Sequence, residues 1–219
     1  MADLDSLDAI FKAYDVRGVV PDQIDADLCE RIGAAFARFA AGAGGAAKVV
    51  VARDMRPSGV DLAVAFAAGV QRQGLDVVDL GLASTDLMYF ASGRLDAPGA
   101  MFTASHNPAR YNGIKLCLAG ARPIGEDSGL GEIKRLARGG VATPPTTPGR
   151  VESVDLLGDF AEHVRSFVDR SVLAPLSVVA DTANGMGGLV VPRVFDTLPF
   201  ELEVMYGELD GTFPNHPAD

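Results

Sequence analysis

Residues 102–116, FTASHNPARYNGIKL, place a serine and a histidine side by side directly after an apolar run. Ser105 and His106 are of the types that form a nucleophile and its base in hydrolases. Adjacent residues on an extended strand point to opposite faces, so we expect this hydroxyl and this imidazole to lie apart. The G-x-S-x-G elbow is missing from the sequence, and the other candidate bases are His163 and His216. A Ser-His hydrolase is therefore the weaker hypothesis.

Two other interpretations of this stretch remain open. Asn107-Pro108 is typical of a turn, and a turn alone would explain the break between two apolar runs. The alternative is a serine that carries another group. It is favoured because polar and basic side chains crowd the segment: Thr103, Ser105, His106, Asn107, Arg110, Tyr111, Asn112 and Lys115.

Two shorter polar clusters lie upstream. FKAYDVRG (11–18) sets Tyr14, Asp15 and Arg17 in an apolar segment, and its simplest interpretation is an edge strand with a solvated arginine. ARDMRPSG (52–59) is typical of a loop, in which Arg53 and Asp54 would pair on the surface.

Two glycine patterns could in principle bind phosphate. Gly42, Gly44 and Ala47 match G-x-G-x-x-A, but they precede a predicted strand, so the match is interpreted as accidental. Asn184-Gly185-Met186-Gly187-Gly188 follows a predicted strand and precedes a predicted helix, where backbone N–H groups could bind an anion. A tight strand-to-helix connection is the favoured interpretation of that second pattern.

These residues need elements to position them, and apolar periodicity predicts an alternation of helices and strands. Asp25 or Asp27 is placed to cap the first helix, and Ser58 with Asp61 forms a capping-box pattern at the second. The alternation predicts an α/β fold with a mixed, mostly parallel sheet and helices on both faces. Ser105 ends the predicted strand 99–105, at the carboxyl edge where such sheets bind ligands. The predicted helices cover 25–41, 62–74, 85–94 and 130–136, and the predicted strands 48–53, 75–81, 99–105 and 113–119.

Residues 139–150, GGVATPPTTPGR, have the composition of an inter-domain linker. We predict a first domain over 1–140, a linker over 141–152 with a boundary near 145, and a second domain of similar type over 153–219. The second domain is predicted to contain a helix, a strand, a helix and a strand, which is too little to cover its own apolar surface. We therefore expect a truncated chain, with self-association through the incomplete domain as a further expectation.

Composition excludes several classes of function. A net charge of −10 argues against a general nucleic-acid binder. Cys29 and Cys117 show no metal-ligand spacing and are expected to be reduced and buried. The acidic start does not look like a signal peptide, and no apolar run has the length of a membrane span, so a cytoplasmic protein without a membrane partner is predicted.

Four motifs taken together, in this order and at these spacings, resemble those of the alpha-D-phosphohexomutases: FKAYDVRG (11–18), ARDMRPSG (52–59), FTASHNP (102–108) and YNGIKL (111–116). The opening string looks most like the phosphomannomutase/phosphoglucomutase branch. The resemblance implies interconversion of hexose 6-phosphate and hexose 1-phosphate, of mannose or glucose, through a phosphoserine and a bisphosphorylated sugar. It also implies a phosphorylated hexose as substrate and hexose 1,6-bisphosphate as activator.

The resemblance assigns roles to individual residues. Ser105 is implied to be the phosphoserine, His106 to shape the active-site loop and Lys115 to transfer a proton near the reacting hydroxyl. Tyr14, Arg17 and Asn107 are implied to line the substrate cleft or steady the phosphoserine loop. An Mg2+ ion is implied to bind an oxygen of phosphorylated Ser105 together with three aspartates.

The sequence departs from the family in one large respect. It contains no DGDxDR metal loop, no G-E-x-S-G-H sugar-binding string and no C-terminal phosphate-binding loop. We therefore predict that the 219 residues are the N-terminal part of a mutase and are themselves inactive. The alternatives are a phosphoglucosamine mutase fragment and a non-catalytic remnant that binds a phosphosugar or a partner.

Overall fold

The computed structural model describes residues 7–142, 144 and 147–218. Most of the described chain is built around one seven-stranded sheet. Its strands are β1 (Val16–Val19), β2 (Lys48–Arg53), β3 (Asp76–Leu82), β4 (Gly99–Phe102), β5 (Tyr111–Leu118), β6 (Arg122–Pro123) and β7 (Val151–Ser153).

The strand order is β1-β5-β4-β2-β3-β7, with β6 also paired to β5. Strand β2 runs parallel to β3 and β4, and β3 runs parallel to β7. Strand β5 is antiparallel to β1, β4 and β6, so it alone opposes the other strands of this sheet. The gap between β4 and β5 is too short for a crossover helix, which explains the reversal. The predicted mixed, mostly parallel sheet is confirmed.

Helices cover both faces of the sheet, as predicted. One face packs against α2, α3 and α5 through a core that includes Phe36, Phe66 and Phe102. The other face packs against α4 and α6 through a core that includes Met88, Met101 and Phe160. The helices of this part are α1 (Leu7–Ile10), α2 (Ala26–Gly44), α3 (Gly59–Arg72), α4 (Thr85–Leu95), α5 (Leu130–Gly139) and α6 (Leu157–Arg165).

The helix starts show which local predictions hold. The Asp25 side chain accepts a hydrogen bond from the Leu28 N–H at 2.8 Å, so the predicted cap of α2 is confirmed. The predicted capping box of α3 is wrong. Ser58 makes no cap hydrogen bond, and its hydroxyl instead accepts from Asn112 Nδ2 at 2.9 Å. A hydrogen bond to Asn112 on β5, which is distant in sequence, thus replaces the helix cap that the local sequence predicted.

Helices α2 and α3 cross very closely, and two glycines permit this approach. A Cβ on Gly33 would lie 2.1 Å from the Phe66 carbonyl oxygen, and one on Gly69 would lie 2.0 Å from the Glu30 carbonyl oxygen. No real Cβ tolerates such distances. Helix α3 begins at Gly59, the last residue of the 52–59 motif, so this contact fixes the helix that follows that loop.

The later part of the chain forms a second, smaller unit. Strands β8 (Leu176–Asp181) and β9 (Phe200–Met205) pair in parallel, with α7 (Gly187–Phe195) between them in sequence. Its apolar side chains are largely exposed, including Leu176 at 59% and Val179 at 60%. An incomplete second domain of the same α/β type was predicted, and the structure agrees.

Residues 151–165, which include the end of the predicted linker, return to the first sheet. Strand β7 pairs with β3, and Phe160 of α6 is buried in the second core. The predicted boundary near 145 lies outside the described residues, and the division into 1–140, 141–152 and 153–219 stays a prediction. Within the described ranges no helix is long and apolar enough to cross a membrane. Both cysteines are free and buried, and burial raises the pKa of each thiol.

We predict that Gly33→Ala destabilises the protein by about 1–3 kcal/mol, because the added methyl group forces α2 away from α3. Gly42→Ala is the matched control in the same helix, since nothing lies within 4 Å of its Cβ position. The control should be neutral or up to about 1 kcal/mol more stable. Urea denaturation followed by circular dichroism measures both, and equal effects of the two substitutions would contradict the close crossing.

Candidate active site

The carboxyl edge of the sheet faces a cleft of about 300 Å3. One wall comes from loops that follow β2, β3 and β4, and it includes Asp54, Ser84 and Ser105. The other wall comes from the later part of the chain, namely the turn after β8 and Phe213. Because β8 also ends at the cleft, the carboxyl ends of both sheets border the same space, where α/β folds bind ligands.

Ser105 is exposed at this edge and has a left-handed backbone, with φ of 53°. A residue other than glycine in this conformation costs about 1–2 kcal/mol, so the surrounding structure must hold it there. Its N–H donates to Thr103 Oγ1 at 3.0 Å. Strand β4 ends at Phe102, so the predicted strand 99–105 is too long by three residues.

The left-handed turn also changes the relation between Ser105 and His106. Ser105 Oγ lies 3.4 Å from His106 Nδ1, so the expectation that the two side chains would lie apart is wrong. The expectation assumed an extended strand, and the backbone has left the strand before Ser105. Neither His163 nor His216 supplies a base here. His163 packs between Phe90 and Phe167, and His216 bonds Asp181.

Arg56 holds the serine loop from beneath. Its side chain is fully buried, and Nη2 donates to the carbonyl oxygens of Ser105 at 2.8 Å and Asn107 at 2.7 Å. Nη1 donates to the carbonyl oxygens of Pro108 at 2.9 Å and Tyr111 at 3.1 Å. A single side chain on the 52–59 loop thus anchors the loop that carries Ser105.

Asp54 is the charge partner of Arg56. Its Oδ2 accepts from Arg56 Nε at 3.2 Å, and its Oδ1 accepts from the Arg56 N–H at 2.9 Å. Burial raises the pKa of Asp54, and its hydrogen bonds to Arg56 and Thr103 oppose that rise. Burial likewise lowers the pKa of Arg56, against the charge of Asp54. The predicted surface pair of Arg53 with Asp54 is wrong, because Asp54 turns inward to Arg56.

Asn107, a predicted substrate contact, stabilises the loop itself. Its side-chain Nδ2 donates to the Ala104 carbonyl oxygen at 2.8 Å, and its backbone N–H reaches the same oxygen at 3.0 Å. The amide is therefore committed to closing the turn that sequence composition indicated.

A second cluster joins two of the predicted basic residues through a carboxylate. Asp15 is buried, with Lys115 Nζ 3.3 Å from its Oδ2 and Arg17 Nη2 3.4 Å from its Oδ1. The interpretation of Arg17 as a solvated arginine is wrong, since its side chain is only 32% exposed. Tyr14 is 79% exposed beside this cluster. The structure thus brings Arg17 and Lys115 together on Asp15.

Three residues of this edge were missed as site residues: Arg56, Asp54 and Asp15. All three are charged, and all three are buried. Each of them stands within one of the polar motifs of the sequence, so a signal was present. It was weak because the motif alone does not show which of its charged residues is buried. Burial, which distinguishes Arg56 from the neighbouring Arg53, depends on loops distant in sequence.

The two glycine patterns are structural. Helix α2 ends at Gly44, and Gly45 closes it in a left-handed conformation, so the first pattern terminates a helix, which supports the interpretation of its match as accidental. In the second pattern a Cβ on Gly188 would lie 2.0 Å from the Gly207 carbonyl oxygen. This close approach supports the tight strand-to-helix connection.

The described residues alone do not form a magnesium site. No group of three His, Cys, Asp or Glu side chains in these ranges could hold a metal. Among the described residues, the acidic ones that border the cleft are Asp54 and Asp86, and Asp54 is already engaged by Arg56. The carboxylates that the resemblance implies would have to come from elsewhere.

An α/β/α domain with a serine presented at the carboxyl edge of its sheet defines the class of protein. Residues 8–140 match the family domain described as phosphoglucomutase/phosphomannomutase, alpha/beta/alpha domain I. The chain belongs to this family.

Curated relatives and solved structures agree with this placement. The chain is 41% identical over 206 residues to a protein of Xanthomonas campestris named phosphohexose mutases, covering 94% of this chain and 45% of the relative. It is 37% identical to a phosphomannomutase of Escherichia coli K12, with coverage of 94% and 46%. A phosphoglucomutase/phosphomannomutase family protein of Burkholderia thailandensis superposes with a TM-score of 0.86 at 35% identity, over 99% of this chain and 47% of that one. The chain therefore spans about half the length of the relatives it matches.

We predict that the His216–Asp181 pair stabilises the C-terminal segment only at acidic to neutral pH. The hydrogen bond to Asp181 raises the pKa of His216 above its ordinary 6.5. The Asp181 carboxylate accepts hydrogen bonds from the Ala183 N–H and from His216, and these lower the pKa of Asp181 below 3.8. A raised histidine pKa contributes stability that is complete below 6.5 and is lost as pH rises through the folded value. His216→Gln should therefore increase amide exchange in 208–218 at about pH 5.5 and much less at about pH 8.5, once the intrinsic rates are corrected.

Asp181→Asn is the matched variant, because it removes the same ion pair from the other side. It should abolish the same pH dependence, and the double variant should add little. A loss of protection that is equal at both pH values would contradict the pair's role.

Proposed function

We propose that this chain is the N-terminal part of a phosphohexomutase that interconverts hexose 6-phosphate and hexose 1-phosphate, of mannose or glucose. The observation that carries the proposal is the position of Ser105. It is exposed in a left-handed turn, anchored by a buried arginine, and borders a cleft at the carboxyl edges of two sheets. Names of the relatives support the substrate class.

In this proposal Ser105 Oγ carries the phosphoryl group. During transfer the bond from phosphorus to Oγ breaks as a bond from phosphorus to a sugar hydroxyl oxygen forms, and the proton of that hydroxyl ends on Oγ. The other phosphate later returns to Oγ, and the proton passes back to the sugar oxygen. Such transfer depends on positioning and on charge stabilisation more than on covalent chemistry, which suits a rigidly held serine. Hexose 1,6-bisphosphate is then both the intermediate and the activator.

The neighbouring groups take the roles that the resemblance implies. Lys115 relays the proton between the sugar hydroxyl and Oγ, and its Nζ lies 3.3 Å from the Asp15 carboxylate. His106 lies 3.4 Å from Ser105 Oγ and orients it. Arg17 offers a planar fork of donors to a phosphate, and exposed Tyr14 lines the entrance. Asn107 acts through the loop turn that it closes.

Magnesium supplies charge compensation during phosphoryl transfer in such enzymes, and one of its ligands would be the phosphorylated Ser105. The described residues do not complete its coordination. A cytoplasmic location and self-association through the exposed apolar side chains of the second unit belong to the same proposal.

The phosphoserine is tested by intact mass. The chain, incubated with hexose 1,6-bisphosphate and Mg2+, should gain about 80 Da on Ser105 and lose it again with hexose 6-phosphate. Ser105→Ala should abolish the gain, whereas Ser171→Ala, which removes an exposed serine of the second unit, should keep it. A slow, single transfer suffices for this result. Absence of both phosphate and phosphosugar binding would instead support a non-catalytic remnant.

Sustained turnover is a separate prediction. With hexose 1-phosphate, a bisphosphate activator and Mg2+, the 219 residues should show no robust mutase activity. The reason is that their sequence contains neither the DGDxDR metal loop nor the G-E-x-S-G-H sugar-binding string. A coupled assay for hexose 6-phosphate measures this. Robust activity would contradict the predicted inactivity, while leaving the role of Ser105 intact.

A further inference from the structure

Arg56 uses every donor of its guanidinium. The group has five N–H bonds, and five acceptors surround it: Asp54 Oδ2 and the carbonyl oxygens of Ser105, Asn107, Pro108 and Tyr111. Four of these acceptors belong to the seven-residue stretch that starts at Ser105. The shape of that loop is therefore matched to one planar cation.

Lysine could not replace this arrangement. An ammonium group has three donors at a single point, whereas the arginine fork reaches four carbonyl groups spread along the loop. An Arg56→Lys variant keeps the charge beside Asp54 but loses the geometry. The Arg56→Lys variant therefore distinguishes the role of Arg56 in positioning the loop from its role in neutralising the charge of Asp54.

The other side of Arg56 is covered by the later part of the chain. The Phe213 ring lies 5.2 Å from Arg56 Cζ, within range of a cation–π contact. A Cβ on Gly211 would lie 2.6 Å from Arg56 Cα and 2.8 Å from the Met55 carbonyl oxygen. The turn 210–213 thus rests directly on the loop that anchors Ser105.

Buried Asn184 fixes the turn to the second unit. Its carbonyl oxygen accepts from the Asp210 N–H at 2.9 Å, and its Nδ2 donates to the Glu208 carbonyl oxygen at 3.0 Å. Asn184 itself follows β8. A continuous path of contacts therefore runs from β8 through the 210–213 turn to Arg56 and the Ser105 loop.

We propose that Arg56 is a positioning residue for Ser105 and that the 210–213 turn makes this positioning depend on the second unit. The importance of Arg56 for catalysis rests on the proposed function, in which Ser105 is the reacting group. The positioning of the loop by Arg56 does not depend on that function. Movement of the second unit that lifts Phe213 would expose the guanidinium to water and loosen the four carbonyl bonds together.

Hydrogen exchange of residues 103–112 tests the proposal on the chain as it is. Arg56→Lys should speed exchange of the Ser105, Asn107 and Tyr111 amides about tenfold or more, since each lost bond to the guanidinium is a charge-assisted one. Exchange in β2 should stay unchanged. Arg53→Lys is the matched control, because in the described residues the Arg53 side chain has no hydrogen bond or ion pair.

Chemical rescue separates positioning from a general loss of structure. In Arg56→Ala, added guanidinium should restore protection of 103–112 and the rate of phosphate gain on Ser105, while added ammonium should not. Phe213→Leu tests the turn and should speed exchange of the same amides by a smaller factor. Phe195→Leu is its control and should leave their exchange unchanged, because the Phe195 ring packs on Phe200.

The outcomes distinguish the two proposals. Unchanged protection of 103–112 in folded Arg56→Lys, or equal effects of the two phenylalanine substitutions, would overturn the positioning role. If Arg56→Lys does not fold, Phe213→Leu and rescue of Arg56→Ala decide the matter. Altered protection in Arg56→Lys with no phosphate ever gained by wild-type Ser105 would uphold the positioning and defeat the proposed mutase function.

Discussion

A buried positive charge organises this molecule. Removing a guanidinium from water costs several kcal/mol unless it is paired and its donors are satisfied. Asp54 supplies the charge, and four carbonyl groups of the serine loop supply the remaining acceptors. The loop cannot relax without leaving buried donors unpaired. Ser105 is consequently kept in a left-handed conformation that an unsupported serine would avoid.

Much of the fold was accessible from the sequence, because apolar periodicity and turn residues act locally. The helices α2 to α5 and the strands β2 and β3 were predicted near their observed bounds, and the order of strand, helix and strand that β8, α7 and β9 form was predicted as well. The close alternation of strand and helix also predicted the sheet and its carboxyl edge. Periodicity reports which face of an element is buried, and that is enough to define an α/β sheet.

The details of the site were less accessible, for reasons that lie in tertiary contacts. ARDMRPSG contains two arginines, and local sequence cannot tell that Arg56 turns inward while Arg53 does not. Ser58 was assigned to a helix cap because its partner, Asn112, is distant in sequence. The Ser105–His106 geometry was mispredicted because the strand ends three residues early. In each case a partner more than 40 residues away, or a backbone conformation imposed by one, decides the outcome.

The chain matches about half of each relative, and the second unit still forms one wall of the cleft. The central claim is that Arg56 holds Ser105 so that its Oγ, the proposed carrier of the phosphoryl group, faces this cleft. A crystal structure of the chain phosphorylated on Ser105 tests it most directly. The account predicts a left-handed Ser105, the Arg56 guanidinium bonded to the four loop carbonyl groups, and the phosphate between Asp54 and the turn after β8. A guanidinium turned to solvent, or a phosphate directed away from the cleft, would contradict it.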